Sequence, residues 1–145
     1  MPTILLVIFI GLIGGLAVGF QGPLTSLMSQ RLGILESLFI IHLGGTIVAG
    51  LPLLIDSGGN LGAWRSVPWY ALGAGSLGLV ILGAISFTIP QLGVATTIAL
   101  VVVGQLIIGL LLDHFGLLGV AVRPVEIRRL LGVVILIIGT WLVLR

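Results

Sequence analysis

Residues 66–112 read SVPWYALGAGSLGLVILGAISFTIPQLGVATTIALVVVGQLIIGLLL, 47 positions without a charged side chain between Arg65 and Asp113. A membrane crossing takes about 20 apolar residues to cover about 30 Å of hydrocarbon. The run is too long for one crossing and long enough for two. TIPQLG at 88–93 is where it breaks on sequence grounds, because proline removes a backbone donor and glycine loosens the chain. Two spans follow, about 69–89 and 93–112, joined by a very tight turn.

The same reasoning extends outward. MPTILLVIFIGLIGGLAVGF opens the chain without the basic start of a cleavable signal peptide, so it reads as a retained span over about 3–20. Gly22-Pro23 acts as the predicted breaker, inside QGPLTSLMSQRLG with Arg31 as its one charge. A second span covers about 36–55, with Pro52 predicting a kink near its end. DSGGNLGAWRSV forms a polar, glycine-rich loop; Pro68 suits a helix start, and Trp69-Tyr70 suit a membrane interface. A fifth span covers about 124–144. Its uncharged part, Leu130–Leu144, is about 22 Å long by helical rise, so Arg129 and Arg145 must snorkel from its ends. Trp141 is a plausible anchor. The expectation is an all-α integral membrane protein: one domain over 1–145, a bundle of five transmembrane helices, with no repeat at solenoid periods.

Composition agrees. Of 145 residues, 59% are hydrophobic and 7% charged, and mean hydropathy is +1.39, whereas a soluble domain carries about 25% charged residues. The basic balance comes from six arginines and no lysine, dispersed without a basic run. That pattern is a topology signal and argues against a nucleic-acid partner. Cysteine is absent, which excludes disulfides and thiolate chemistry. With two histidines, no His-Glu-x-x-His, no Gly-x-Ser-x-Gly and no phosphate loop, neither a metal, a cofactor nor an enzyme is expected. Five crossings put the termini on opposite sides. Arg65, Arg123, Arg128 and Arg129 then share the N-terminal side, against Arg31 and Arg145 opposite, which predicts a cytoplasmic N-terminus. The margin is thin enough to allow dual topology.

Helices in lipid associate through small residues. Gly11, Gly15 and Gly19 form a stripe on span one, Gly45 lies beside Thr46 and Ala49 near His42, and Gly109 shares a face with Gln105. These glycines are read as helix-packing positions. Polar residues in spans are expensive and are functional hypotheses by default. Gln21, Glu36, His42, Gln91, Gln105, Asp113, His114, Thr46, Thr96 and Thr97 make up that set. Gln105 either bridges to another helix or faces a solute. His42 is either a neutral imidazole bonded to a carbonyl or a proton- or substrate-binding group. Glu36 complements a helix N-terminus or belongs to the same site. Asp113 is expected to tether the chain by a salt bridge to Arg128, or to Arg123 or Arg129.

The ordered stretches QGPLTSLMSQRLG, HLGGT, IPQLGVA, VVVGQLIIGLLLDHFGLLG and RRLLGVVILIIG resemble the YdcZ-type small proteins of the drug/metabolite transporter superfamily. The resemblance covers nearly the whole chain, and its strongest part is Gly-Gln-Leu followed by Asp-His-Phe-Gly. It implies a five-helix half-transporter of the bacterial inner membrane, occurring singly, in pairs or fused to an inverted second half. It carries over to Gln21, Gln105, Asp113, His114 and Gly116. Thr25 stands where the family usually has asparagine. The first helix also lacks the acid that related multidrug exporters use, so proton-coupled cation export does not follow.

Secondary transporters bind substrate near the midplane between inverted repeats, and one five-span chain supplies one repeat. The expected function is small-molecule transport by alternating access as a dimer, either an antiparallel homodimer or a pair with a homologue. Gln21, Glu36, His42 and Gln105 are the substrate-binding candidates, for a neutral, amphipathic or weakly charged solute. The alternative is a non-transporting subunit or scaffold of a larger complex. A channel ranks third, without a charge ring or filter loop to support it.

Overall fold

A computed structural model describes residues 4–144. The predicted span start at Thr3 and the snorkelling of Arg145 lie outside the described residues. All regular structure among the described residues is helical, as expected where backbone groups must be satisfied within the segment that crosses lipid. The chain forms two compact units, residues 1–90 and 91–145.

In the first unit, α1 spans Ile4–Leu32 and α2 spans Ile34–Ile55. The predicted break at Gly22-Pro23 is corrected: α1 runs straight through it. A proline deletes one hydrogen bond, and membrane helices tolerate that when neighbouring side chains serve the local carbonyls. Here the carbonyl that loses its helix bond is that of Gly19, four residues before Pro23, while in the following turn the Thr25 hydroxyl donates to the Gln21 carbonyl at 2.7 Å. The real break is Gly33, whose φ of 106° and ψ of 157° suit glycine alone. Pro52 likewise lies inside α2. Beyond a 3-10 turn at Leu61–Ser66 come the short α3, Trp69–Leu72, and α4, Ala74–Leu92, with Pro90 inside it. At the loop the Arg65 guanidinium lies 5.5 Å from the Trp64 ring centre, and Trp69 meets Tyr70 edge to face.

The second unit contains α5, Val94–Phe115, and α6, Ile127–Val143. Gly93, at φ 80°, precedes α5, so here too the chain turns at a glycine and not at the neighbouring proline. Gly116, at φ 62°, closes α5 in the left-handed conformation. A Cβ there would stand 2.6 Å from Val122 Cγ2, so only glycine lets the returning segment pass so close.

Among the described residues, four helical stretches are long and apolar enough to cross a membrane: Ile4–Leu32, Ile34–Ile55, Trp69–Leu92 and Val94–Phe115. The expected fifth, α6, has 17 residues, which is about 26 Å by helical rise against about 30 Å of hydrocarbon. It starts at Ile127 and not at Pro124, because residues 120–126 are non-helical. The structure therefore supports a helical membrane protein with, among the described residues, four candidate spans and the shorter α6.

Burial is reversed relative to a water-soluble protein. Among the described residues the buried apolar side chains are Leu38, Leu82 and Ile85, while Thr25, Ser26, Ser37, Ser86, Thr96, Thr97 and Thr140 are buried polar ones. Large apolar side chains cover the outside, as lipid requires. Buried positions also recur with a fixed offset of 60. Gly22, Thr25 and Ser26 correspond to Leu82, Ile85 and Ser86, and Ser37 to Thr97; the turn glycines Gly33 and Gly93, which are not buried, share the offset. Ser37 and Thr97 each donate their backbone N–H to the turn glycine at 3.2 Å.

Candidate functional site

Small hydroxyl residues let α1, α2 and α4 approach closely in the first unit. Ser29 and Ser37 share a hydroxyl–hydroxyl bond of 2.5 Å across the Gly33 turn, and the Ser37 hydroxyl also reaches the Ile34 carbonyl at 2.8 Å. Gln30 Nε2 donates to Ser26 Oγ at 3.3 Å. Gly22 admits α4: a Cβ there would lie 3.2 Å from Ile85 Cγ2 and 3.6 Å from Ile89 Cδ1. Ser86 Oγ on α4 is buried with no hydrogen-bond partner.

Further along α2, the His42 ring is fixed from both sides. Its Nδ1 lies 2.8 Å from the Leu38 carbonyl. A carbonyl only accepts, so Nδ1 is the donor of this bond, and Nε2 lies on the far side of the ring. That Nε2 faces Gly78 of α4, where an added Cβ would stand 2.9 Å away. Thr46 returns its hydroxyl to the His42 carbonyl at 2.7 Å. The imidazole is thus bonded to a carbonyl, and it wedges against the neighbouring helix.

Gln21 is exposed; its carbonyl, not its amide, takes part in the Thr25 bond. Glu36 is exposed in the first turn of α2 and folds its carboxylate over Gly33. No hydrogen bond among the described residues joins Gln21, Glu36 and His42 to one another.

In the second unit, Gln105 sits mid-way along α5 and is exposed on its surface. A groove of about 550 Å³ runs between α5 and α6, floored by Gly109 and Gly132 and walled by Leu106, Leu110 and Leu136. Asp113 and Arg129 close one end with an ion pair of 3.2 Å, each side chain part-exposed. The predicted partner Arg128 is therefore corrected to Arg129. Glu126 is the N-cap residue of α6, and its backbone carbonyl accepts the Arg129 backbone N–H at 2.9 Å; Arg129 lies on the face toward Asp113, while Arg128 leaves the helix about 100° away. The Asp113 carbonyl accepts the Arg123 N–H at 2.7 Å, and His114 Nδ1 accepts the Val125 N–H at 3.3 Å. The Asp-His pair is a clasp that holds the 116–126 segment.

The glycines read as packing positions have no neighbour within the chain among the described residues. A Cβ added at Gly11, Gly15, Gly19, Gly45 or Gly109 meets nothing within 4 Å. Among the described residues, the glycines that admit a side chain from another helix are Gly22, Gly78 and Gly83, the last against Leu38. Sequence reading missed Ser26, Ser29 and Ser37. Their signal lay in the Leu-Gly dipeptides at 32–33 and 92–93, each followed by a hydroxyl residue four positions after the glycine.

A family model described as "Putative inner membrane exporter, YdcZ" matches residues 6–142. The chain belongs to this family. Family membership and the long apolar helices together make it a multi-pass membrane protein of a transporter family. A relative from Escherichia coli (strain K12), "Inner membrane protein YdcZ", is 41% identical over 80 residues, 55% of this chain. The match spans about half of that relative's length, 53%. No solved structure matches the chain.

Proposed function

We propose that the chain is a half-transporter of the bacterial inner membrane that exports a small molecule by alternating access as a dimer. The observation that carries this reading is the family match over residues 6–142. Two features of the chain support it. Gln105 presents its amide on the outside of α5, in mid-span, and a bare amide facing hydrocarbon is costly. The Gly11, Gly15 and Gly19 face of α1 is open as well. A second copy, or a paired homologue, covers both. An antiparallel pair also supplies the inverted repeat that midplane binding uses, and the thin arginine bias permits one sequence to insert both ways.

In this reading Gln21, Glu36, His42 and Gln105 contact the solute, which is neutral, amphipathic or weakly charged. The test fixes orientation. Arginines added at 57–60 hold one variant with its N-terminus in the cytoplasm, and arginines added at 32–35 hold another the opposite way. Each alone is expected to lose efflux, and co-expression to restore it. Full efflux by either variant alone would remove the antiparallel arrangement.

A further inference from the structure

We propose that the Ser86 hydroxyl is a binding subsite for a polar atom delivered from the aqueous phase: the hydroxyl or amide of a small neutral solute, or a water standing in its place. The argument comes from comparing the two turns that lie 60 residues apart. In the first, every buried hydroxyl has a partner within the chain. Gln30 donates to Ser26, and Ser29 bonds to Ser37. In the second, the positions equivalent to Gln30 and Ser29 are Pro90 and Ile89, neither of which carries a polar side chain. Ser86, equivalent to Ser26, keeps its hydroxyl without the partner, 3% exposed and unbonded.

Pro90 deepens the deficit. Lacking an N–H, it cannot give the Ser86 carbonyl the bond that a helix supplies from four residues on. One residue thus offers a hydroxyl donor and an under-served acceptor at the same place. Buried polar groups without partners are rare because they are costly, and each calls for an external one. Among the described residues no charged side chain is buried, so the chemistry suits a neutral group. The seam is closed: Ile85 and Ile89 press on α1 at Gly22. At 3% exposure the Ser86 hydroxyl is reached only when the helices packed on it part, and its lack of a partner favours that parting.

The inference rests on the transport reading, but its test needs no turnover, so the two fail separately. The chain has no cysteine. Ser86→Cys in liposomes is treated with 2-hydroxyethyl methanethiosulfonate, a small neutral reagent that itself carries a hydroxyl. Val80→Cys, on the exposed face of α4 at 68%, is the lipid-facing control. The expected result is modification at 86 and none at 80. Molar glycerol slows modification if a solute hydroxyl occupies the subsite, and leaves the rate unchanged if water alone does. Protection at 86 equal to that at 80 would overturn the proposal. Ser86→Ala gives an independent reading: thermal stability without solute should hold or rise, and a fall would mean that the hydroxyl is bonded inside the chain.

Discussion

His42 shows how one atom sets the tolerance of a neighbouring position. With Nδ1 donating to the Leu38 carbonyl at 2.8 Å, the ring cannot turn freely, and Nε2 occupies the space that a Cβ at Gly78 would need. Gly78→Ala should therefore cost about 1–3 kcal/mol, the usual penalty of overpacking. Adding His42→Ala should recover much of it, because residues in contact are not additive. Denaturant unfolding in bicelles, run as a double-mutant cycle, checks the coupling; additive losses would count against the contact. The clasp at Asp113 predicts a smaller effect. Its ion pair with Arg129 is 37% exposed on each side, so Arg129→Ala should cost no more than about 1 kcal/mol. Arg128→Ala should leave that pair intact. The same unfolding assay separates the two arginines.

Helix boundaries belong to the next scale, where three prolines and two glycines trade roles. Pro23, Pro52 and Pro90 sit inside helices, while Gly33 and Gly93 end them. A proline removes one bond from a helix that is otherwise secured by its environment. A residue at φ 106° and ψ 157° ends the helix outright, and a side chain there is strained by about 1–3 kcal/mol. Gly33→Ala should thus destabilise the α1–α2 turn, whereas Pro23→Ala restores a helix bond and should be neutral or stabilising. Hydrogen exchange of the Gly33 and Ser37 amides, which bond to Ser29 and Gly33, reports the turn directly. Faster exchange in Pro23→Ala than in Gly33→Ala would contradict this assignment of roles.

At the scale of the whole molecule, the outer surface is the informative one. Gly15 meets nothing within 4 Å when given a Cβ, so Gly15→Leu should leave the unfolding of the isolated chain nearly unchanged. If the α1 glycine face packs on a second copy, the same variant should lose the dimer, since close helix approach depends on small residues. Crosslinking in membranes reads association, and unfolding in detergent reads the chain. Loss of both together would mean that Gly15 packs within the chain. The short α6 belongs to this scale as well. Lengthening its apolar run by inserting leucine after Leu136 should be tolerated in a thicker bilayer better than in a thin one, with thermal stability as the measure.

The sequence by itself determined the solvent and the class of fold, because 7% charge and long uncharged runs leave no alternative to lipid. It also placed Gln105 in mid-span and the Asp113-His114 clasp at a helix end, since both follow from linear spacing against helix length. Only the tertiary structure decided where the helices break, which arginine meets Asp113, and which glycines admit a neighbour. Those outcomes depend on φ, on the direction a side chain leaves its helix, and on what stands opposite, and none of these is written in composition. The hydroxyls of Ser26, Ser29, Ser37 and Ser86 were hidden for the same reason. In sequence a serine among apolar residues is unremarkable, and it becomes a site only when packing buries it and gives or denies it a partner.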